Sequence, residues 1–348
     1  MFSFMEQNMV NFKRIMPGIM LVSGLGALAY GLSQLDLIRY FGLGSLTLAI
    51  LIGALLGNAM PRLSQSAYRD GLTIVQRRFL RTGVALYGFN LSVQQIIHVG
   101  STGVLVDLLM VVSTLLAGWF IGTRLLKMDH DLVLLVSAGS AICGAAAVLA
   151  TVPMLKLDDK TIAENSAVAV ATVVLFGTLA MFLYPVLYTI WLGAGHFDFG
   201  IYVGSTVHEV AQVVAIGGAL GEEIAHNAVI AKMIRVMLLV PFLLIIGTQL
   251  AGRNAEGKRN AIPIPWFALC FVAFAGMNSL QILPEQLVLV LRLSGLLLLT
   301  TAMAALGIDT NLQRIGKAGF RPLLLGGGLF IHLVLVGWLF NWLVYSAK

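Results

Sequence analysis

Long apolar runs separated by short polar segments dominate the pattern of this chain. Residues 132–155 contain no charged side chain, and neither do residues 167–195. About 20 apolar residues at about 1.5 Å each cross the roughly 30 Å hydrocarbon layer of a membrane. The runs lack the short alternation of apolar and polar residues that transmembrane strands need, so they predict membrane-spanning helices.

Eleven such segments are predicted, which gives an all-α polytopic membrane protein with about 11 transmembrane helices. Residues 61–76, between the second and third segments, are amphipathic and moderately basic and predict an interfacial helix. The predicted segments are 16–35, 42–60, 77–97, 103–124, 131–155, 163–193, 199–220, 227–251, 263–282, 286–308 and 323–346.

The composition excludes a soluble domain. The chain is 59% hydrophobic and 11% charged, with a mean hydropathy of +0.92, whereas soluble domains have roughly 25% charged residues. Since no polar stretch is long enough for a separate domain, residues 1–348 are predicted to form a single membrane domain. The net charge of +6 resides in short loops, which fits membrane topology better than nucleic-acid binding.

The basic residues also orient the chain. With the N-terminus inside, fourteen Lys and Arg residues fall on the cytoplasmic side and four on the outside. This bias follows the positive-inside rule and predicts an N-in, C-out protein of the bacterial inner membrane.

Enzymatic chemistry is not indicated. No Walker motif, nucleophile elbow or metal-ligand spacing is present in the sequence. Cys143 and Cys270 both lie inside apolar segments and form no motif. The sequence therefore predicts no enzyme, no cofactor and no metal.

Two internal similarities suggest a repeat. Residues 81–100 resemble residues 300–319, and these segments cross in opposite directions, as in an inverted-topology repeat. The repeats are predicted at about 42–195 and 199–346. GSAICGAAAVLA (139–150) also resembles GSTVHEVAQVVA (204–215), but these two point the same way. Either one of them is re-entrant or the likeness is coincidental.

The fifth segment contains the first group of candidate binding residues. Small residues at mid-span allow close helix packing. Alternatively, they mark a broken helix whose free N–H groups cradle an anion. The residues are Gly139, Ser140, Cys143 and Gly144.

The seventh segment contains the second group, with a carboxyl group and an imidazole in an apolar span. Such residues face a cavity or one another. On a continuous helix Ser205, His208, Glu209 and Gln212 would share one face, beside Gly204. The group either fixes helix packing or forms a site, in which His208 or Glu209 carries a coupling proton.

Lys232 and Arg235 lie about one turn apart inside the eighth segment. Either they extend to the outer membrane surface, or they supply fixed positive charge to an anion or to Glu209. Asn165 and Asn227 occupy matching positions and are further candidates for substrate binding. Three other polar residues near span ends are assigned structural roles: Asp107, Arg292 and Asp309.

The motifs at 139–151 and 204–215, with SLTLAILIGALLGN (45–58) and LRTGVALYGFNLS (80–92), resemble the YeiH / UPF0324 family, which is described as a sulfate exporter family. The resemblance implies membership of the wider cation:proton antiporter and anion-transporter superfamily. It also implies a panel domain, a core domain and two crossed, discontinuous helices, with breaks at residues 139–144 and 204–212.

The leading hypothesis is a secondary active transporter of a small anion, such as sulfate or a related oxyanion or sulfonate, coupled to a proton or Na⁺ and working by alternating access. The alternative is a cation:proton antiporter on the same scaffold, with Glu209 as the ion-binding acid. A third class, a membrane sensor or subunit without flux, is disfavoured. Expected partners are the anion, the coupling ion and lipid; a homodimer is an open option, and nucleic acid is not expected.

Overall fold

A computed structural model describes residues 2–35, 38, 44–64, 66–155, 159–192, 197–251, 266–310 and 319–346. Within these ranges the regular secondary structure is helical and contains no strand. The predicted repeat boundaries at residues 42 and 195 lie outside the described residues, as do parts of the predicted second, sixth and ninth segments.

Fifteen α-helices lie in the described ranges. They are α1 (Phe2–Leu32), α2 (Ser45–Ala59), α3 (Ser66–Ile74), α4 (Leu80–Tyr87), α5 (Val93–Trp119), α6 (His130–Ala141), α7 (Ala145–Thr151), α8 (Asp159–Leu187), α9 (Phe199–Thr206), α10 (Val210–Leu220), α11 (Glu222–Met237), α12 (Leu239–Ala251), α13 (Trp266–Ser279), α14 (Glu285–Asp309) and α15 (Phe320–Ser346).

Within the described part of the chain, six helical stretches are long and apolar enough to cross a membrane. Four shorter apolar helices of 10–17 residues accompany them, namely α2, α6, α10 and α13. The chain is thus an all-helical membrane protein, as predicted, while the total of eleven spans stays a prediction. The six stretches are Arg14–Leu32, Val93–Leu125, Glu164–Ile190, Glu222–Gly247, Glu285–Asp309 and Phe320–Ser346.

The chain divides into two compact units. Unit 1 comprises Met1–Val93 and Leu269–Leu312, and unit 2 comprises Gln94–Ala268 and Gln313–Lys348. Glycines bring the helices of unit 1 into backbone contact: a Cβ at Gly53 or Gly57 would overlap the backbone of α14, and a Cβ at Gly307 would overlap α2. Such close approach through small residues is a common packing mode in membranes.

The core of unit 2 is built around α6. Its buried Val133, Leu135 and Val136 pack with Val173 of α8 and Leu329 of α15. Because one stripe of α6 is fully covered by neighbouring helices, the end of α6 is held in a fixed place. That end carries the first candidate motif.

The predicted boundary between the third and fourth segments, at residues 98–102, is wrong. The helical run ends with the short 3₁₀ turn Gly88–Asn90, and α5 begins at Val93. Side chains of α13 satisfy the backbone at this break. Asn278 Nδ2 donates to the Leu91 carbonyl at 2.9 Å, and the Val93 N–H donates to Ser279 Oγ at 2.7 Å.

The interfacial helix predicted at residues 61–76 is not one element. A 3₁₀ turn at Pro61–Ser64 precedes α3, and a π-helical turn at Val75–Phe79 joins α3 to α4. The chain is helical where predicted, but the helix continues past residue 76 into the predicted third segment. Residue 65 lies outside the described residues.

Candidate functional site

Two helix interruptions lie in unit 2. Helix α6 ends at Ala141 and α7 begins at Ala145, which leaves a first interruption at residues 142–144. Helix α9 ends at Thr206 and α10 begins at Val210, which leaves a second interruption at residues 207–209. Both motifs therefore break their helices, as the resemblance implies.

The local conformation explains each interruption. Gly144 has φ 69° and ψ −138°, a combination that side-chain-bearing residues rarely adopt. Val207 and Glu209 are extended, with ψ of 150° and 149°. The prediction that Ser205, His208, Glu209 and Gln212 share one face of a continuous helix is therefore wrong, because the helix stops after Thr206.

Lys232 and Arg235 of α11 bind the backbone carbonyls at both interruptions. Lys232 Nζ donates to the carbonyl oxygens of Ile142 and Val207, each at 2.7 Å. Arg235 donates to Ala141 O at 2.5 Å, to Ser140 O at 2.7 Å and to Val207 O at 3.3 Å. Both side chains are fully buried, so the alternative that they extend to the membrane surface is wrong.

These contacts provide hydrogen-bond partners for the carbonyl groups that a broken helix leaves unpaired. The last carbonyls of a helix have no partner within it and carry partial negative charge. At the end of α6 the Gly139 carbonyl accepts from the Gly144 N–H. The next three carbonyls, of Ser140, Ala141 and Ile142, accept from Arg235 and Lys232. Two fixed positive charges thus stabilise the C-terminal ends of both half-helices.

Glu209 lies at the start of α10, beside the start of α7. Its Oε1 accepts from the Ala145 N–H at 3.4 Å, and a Cβ at Gly144 would lie 2.5 Å from Glu209 Cγ. Glu209 and Gln212 form a capping box, in which the Glu209 N–H donates to Gln212 Oε1 at 3.0 Å. Gly177 of α8 leaves the space that the Gln212 amide fills.

Several buried polar atoms at the interruptions have no hydrogen-bond partner, although buried polar groups in proteins are nearly always paired. They are Ser140 Oγ, both ring nitrogens of His208, Glu209 Oε2 and Gln212 Nε2. Hydroxyl, imidazole and amide groups can all donate to an anion. The arrangement can therefore offer several donors beside two fixed positive charges.

The remaining small residues of the motifs serve packing. A Cβ at Gly139 would lie 2.8 Å from side-chain carbons of Val148 and Val173, and a Cβ at Gly204 would lie 2.7 Å from Ala231 Cβ. Ser205 Oγ donates to Tyr202 O at 3.1 Å, and Cys143 is a buried free thiol in the first interruption. The packing interpretation and the broken-helix interpretation thus both hold, at different residues of one motif.

The two candidate asparagines are not at the interruptions. Asn227 Nδ2 donates to Asp198 Oδ2 at 2.7 Å, and Asp198 caps the start of α9. Asn165 is half-buried on α8. A role of either asparagine in substrate binding stays a prediction.

Asp107, for which the sequence predicts only a structural role, is a buried acid. It lies near the middle of α5, is fully buried, and neither carboxylate oxygen has a hydrogen-bond partner. Gly103, one turn before Asp107 on α5, packs against Ile234 of α11, the residue that precedes Arg235. The sequence predicts that this span begins at residue 103, which would place Asp107 near its end. The helix begins at Val93, so Asp107 lies more than three turns inside it.

No group of three or more His, Cys, Asp or Glu residues that could hold a metal ion occurs among the described residues. The candidate site therefore rests on backbone carbonyls, two cations, two acids and uncharged polar groups, all within unit 2.

Comparison with known proteins places the chain in a family. The family described as Conserved hypothetical protein 698 matches residues 17–326. The UPF0324 membrane protein YPO1307/y2878 of Yersinia pestis is 46% identical over 335 residues, which cover 93% of this chain and 91% of that protein. The UPF0324 membrane protein PA5383 of Pseudomonas aeruginosa is 45% identical over 335 residues, 93% of each chain.

The UPF0324 inner membrane protein YeiH of Escherichia coli K12 is 42% identical over 338 residues, which cover 95% of each chain. The family match, the UPF0324 relatives and the six apolar helices agree. The chain therefore belongs to the family described as Conserved hypothetical protein 698, with the UPF0324 membrane proteins, and is a multi-pass protein of the bacterial inner membrane.

Proposed function

We propose that this protein is a secondary active transporter of a small anion, sulfate or a related oxyanion or sulfonate, coupled to protons. One observation carries the proposal. Lys232 and Arg235 are fully buried at the two helix interruptions and are held by carbonyl groups, and no carboxylate forms a salt bridge with either within the described residues. Buried positive charge without a contacting acid favours an anionic ligand.

The hydrogen-bonding capacity of Lys232 supports direct contact with the anion. An ammonium group has three donors, and Lys232 uses two of them on Ile142 and Val207. The third can bind substrate. Arg235 bonds to three carbonyls, so its role is to fix the half-helices and to add charge.

Donors for the remaining oxygens of the substrate come from the same segments. Ser140 Oγ, Gln212 Nε2 and the ring nitrogens of His208 are buried and unpaired, and an oxyanion would supply the acceptors that they lack. Gly139, Cys143, Gly144, Gly204 and Ser205 shape the backbone around these donors.

Glu209 is the proposed coupling group. One oxygen accepts from the Ala145 N–H, and the other is buried without a partner. An ionised Glu209 competes with the substrate for positive charge, whereas a protonated one does not. Binding of a proton to Glu209 therefore favours binding of the anion, which is the linkage that coupled transport needs.

Alternating access and the inverted-repeat architecture complete the proposal. The resemblance implies a core that moves against a panel, and unit 2 is the unit that contains both interruptions. In inverted-repeat carriers, discontinuous helices bind substrate near the bilayer midplane. Eleven spans with the N-terminus inside would fit this scheme.

A cation:proton antiporter is the second candidate. The unpaired carboxylate oxygens of Asp107 and Glu209 favour it, because carboxylates bind hard cations. In that case Lys232 would compensate the acids after the cation leaves.

Lys232→Ala separates the two functions. The binding of labelled sulfate and sulfite to purified protein is measured for the wild type and for the variant, with monodispersity and thermal unfolding as checks of folding. Loss of anion binding by a folded variant supports the anion transporter. Absence of anion binding by the wild type, together with Na⁺- or K⁺-driven proton flux in the variant, supports the antiporter instead.

A further inference from the structure

The buried charged groups among the described residues include equal numbers of acids and bases. Among the Asp, Glu, Lys and Arg side chains that the structure describes, four are buried: Asp107, Glu209, Lys232 and Arg235. All four lie in unit 2. Two are basic and two are acidic.

Hydrogen bonds hold the two basic side chains in place, whereas most carboxylate oxygens of the two acids have no partner. Lys232 and Arg235 donate to five backbone contacts at the interruptions, and carbonyls of this kind can only accept. In contrast, both oxygens of Asp107 and one oxygen of Glu209 lack a partner. A change in protonation at the acids therefore breaks few protein contacts, whereas loss of a proton from Lys232 would weaken both of its carbonyl bonds.

Further unpaired polar atoms lie along α5 and α6 between Asp107 and the first interruption. Thr114 lies two turns along α5 on the same face, and Gly118, one turn further, lies against Ser137 Oγ of α6. Ser140 lies one turn beyond Ser137. Thr114 Oγ1, Ser137 Oγ and Ser140 Oγ are all buried without a partner. These buried, unpaired hydroxyl groups lie along α5 and α6 between Asp107 and Ser140.

The titratable groups near each acid follow from the helix packing. Arg235 of α11 follows Ile234, whose side chain lies against Gly103, one turn before Asp107. Among the described residues, histidines contact α5 at three places: His332 lies 3.2 Å from Ser113 Oγ, His226 lies 3.1 Å from Gln95 Nε2, and the ring of His130 stacks on Trp119. Near Glu209, Lys232 Nζ donates to the Val207 carbonyl two residues before it, and Cys143 precedes the Gly144 that lies against it. His208 precedes Glu209 in the chain.

Net charge in a buried site is costly because the surroundings have a low dielectric constant. When both acids are ionised, the four groups sum to zero and the site without substrate can change its orientation. When both acids are protonated, the site carries two positive charges. A dianion restores neutrality, whereas a monoanion does not.

We propose that the substrate is a small divalent oxyanion and that it moves together with two protons, one on Glu209 and one on Asp107, without net charge transfer. The inference rests on the proposed function, whose substrate class and stoichiometry it defines. On one side of the membrane the two carboxylates each take up a proton as the dianion binds. On the other side the dianion and both protons leave.

The experiment measures labelled sulfate in proteoliposomes whose membrane potential is clamped with K⁺ and valinomycin. For two protons per dianion, a gradient of one pH unit gives a sulfate accumulation of about 100-fold at equilibrium, and one proton gives about tenfold. The wild type is expected to reach the 100-fold level, and a change in the clamped potential is expected to leave it unchanged.

Asp107→Asn is expected to lower the accumulation to about tenfold and to make it respond to the potential. Sulfate/sulfate exchange without a pH gradient should persist, because exchange does not require the second proton to leave. Asp107→Glu keeps a carboxyl group and should keep the 100-fold level, so it tests the proposal even if Asp107→Asn does not fold. Glu285→Gln, at an exposed acid, is the matched control.

The inference is overturned if wild-type accumulation is about tenfold or depends on the potential. It is also overturned if Asp107→Asn keeps the 100-fold level, or if this variant is folded but loses exchange. In each of these cases sulfate still moves through the wild type, so the proposed function stands. If the wild type moves no sulfate, sulfite or thiosulfate in either mode, the proposed function itself fails.

Discussion

The ammonium nitrogen of Lys232 donates to the carbonyl oxygen of Ile142 at 2.7 Å, across 90 positions of sequence. The same nitrogen donates at 2.7 Å to Val207 O. One side chain of α11 therefore satisfies the backbone at both helix interruptions. The two motifs form one buried arrangement, held together by charge-assisted hydrogen bonds.

Removal of either cation should destabilise unit 2. Lys232→Ala and Arg235→Ala leave buried carbonyls unpaired, and each unsatisfied group costs about 1–3 kcal/mol. Thermal unfolding of the purified protein in detergent should show a lower midpoint for both variants. Arg81→Ala, at an exposed arginine of α4, is the control and should unfold like the wild type. Equal midpoints for all four proteins would contradict the structural role of the cations.

A side chain at position 144 should destabilise the protein and impair the first interruption. The positive φ of Gly144 costs a non-glycine residue about 1–3 kcal/mol, and a Cβ would press against Glu209. Gly144→Ala is thus expected to lower the unfolding midpoint and to reduce anion uptake. At Gly218 of α10, a Cβ would meet nothing within 4 Å, so Gly218→Ala should be neutral or slightly stabilising. If the two variants behave alike, the first interruption does not have this geometry.

The thiol of Cys143 can report occupancy of the first interruption. It is buried between α6 and α7, whereas Cys270 is exposed on α13. In a Cys270→Ala background, modification of Cys143 by a membrane-impermeant thiol reagent should slow when sulfate is added, because the anion would cover the interruption. Cys143→Ala gives the unlabelled baseline. A labelling rate that is independent of every anion tested would argue against an anion site here.

The interruptions could be predicted from sequence because their residues are unusual for an apolar span. Gly-Ser pairs, a His-Glu pair and two basic residues inside apolar runs indicate broken helices and buried charge. The resemblance also implies the positions of both breaks. The sequence does not predict the partners of Lys232, because these are backbone carbonyls, which the sequence does not distinguish.

Asp107 and the asparagines show where sequence reasoning fails. The polar residues at 98–102 predict a break between two segments, but they belong to α5, so the sequence pattern does not give the depth of Asp107. Asn165 and Asn227 occupy matching positions in the sequence. The hydrogen bond of Asn227 to Asp198 depends on how α9 and α11 pack, which periodicity does not reveal.

Flux of labelled sulfate and sulfite into proteoliposomes, with and without an imposed pH gradient, tests the proposed function most directly. The wild type should show saturable uptake that rises with the gradient. Glu209→Gln should respond to the gradient less than the wild type, while Glu285→Gln responds like the wild type. If no anion enters while Na⁺ or K⁺ drives proton flux, the protein is a cation:proton antiporter and the anion proposal is wrong.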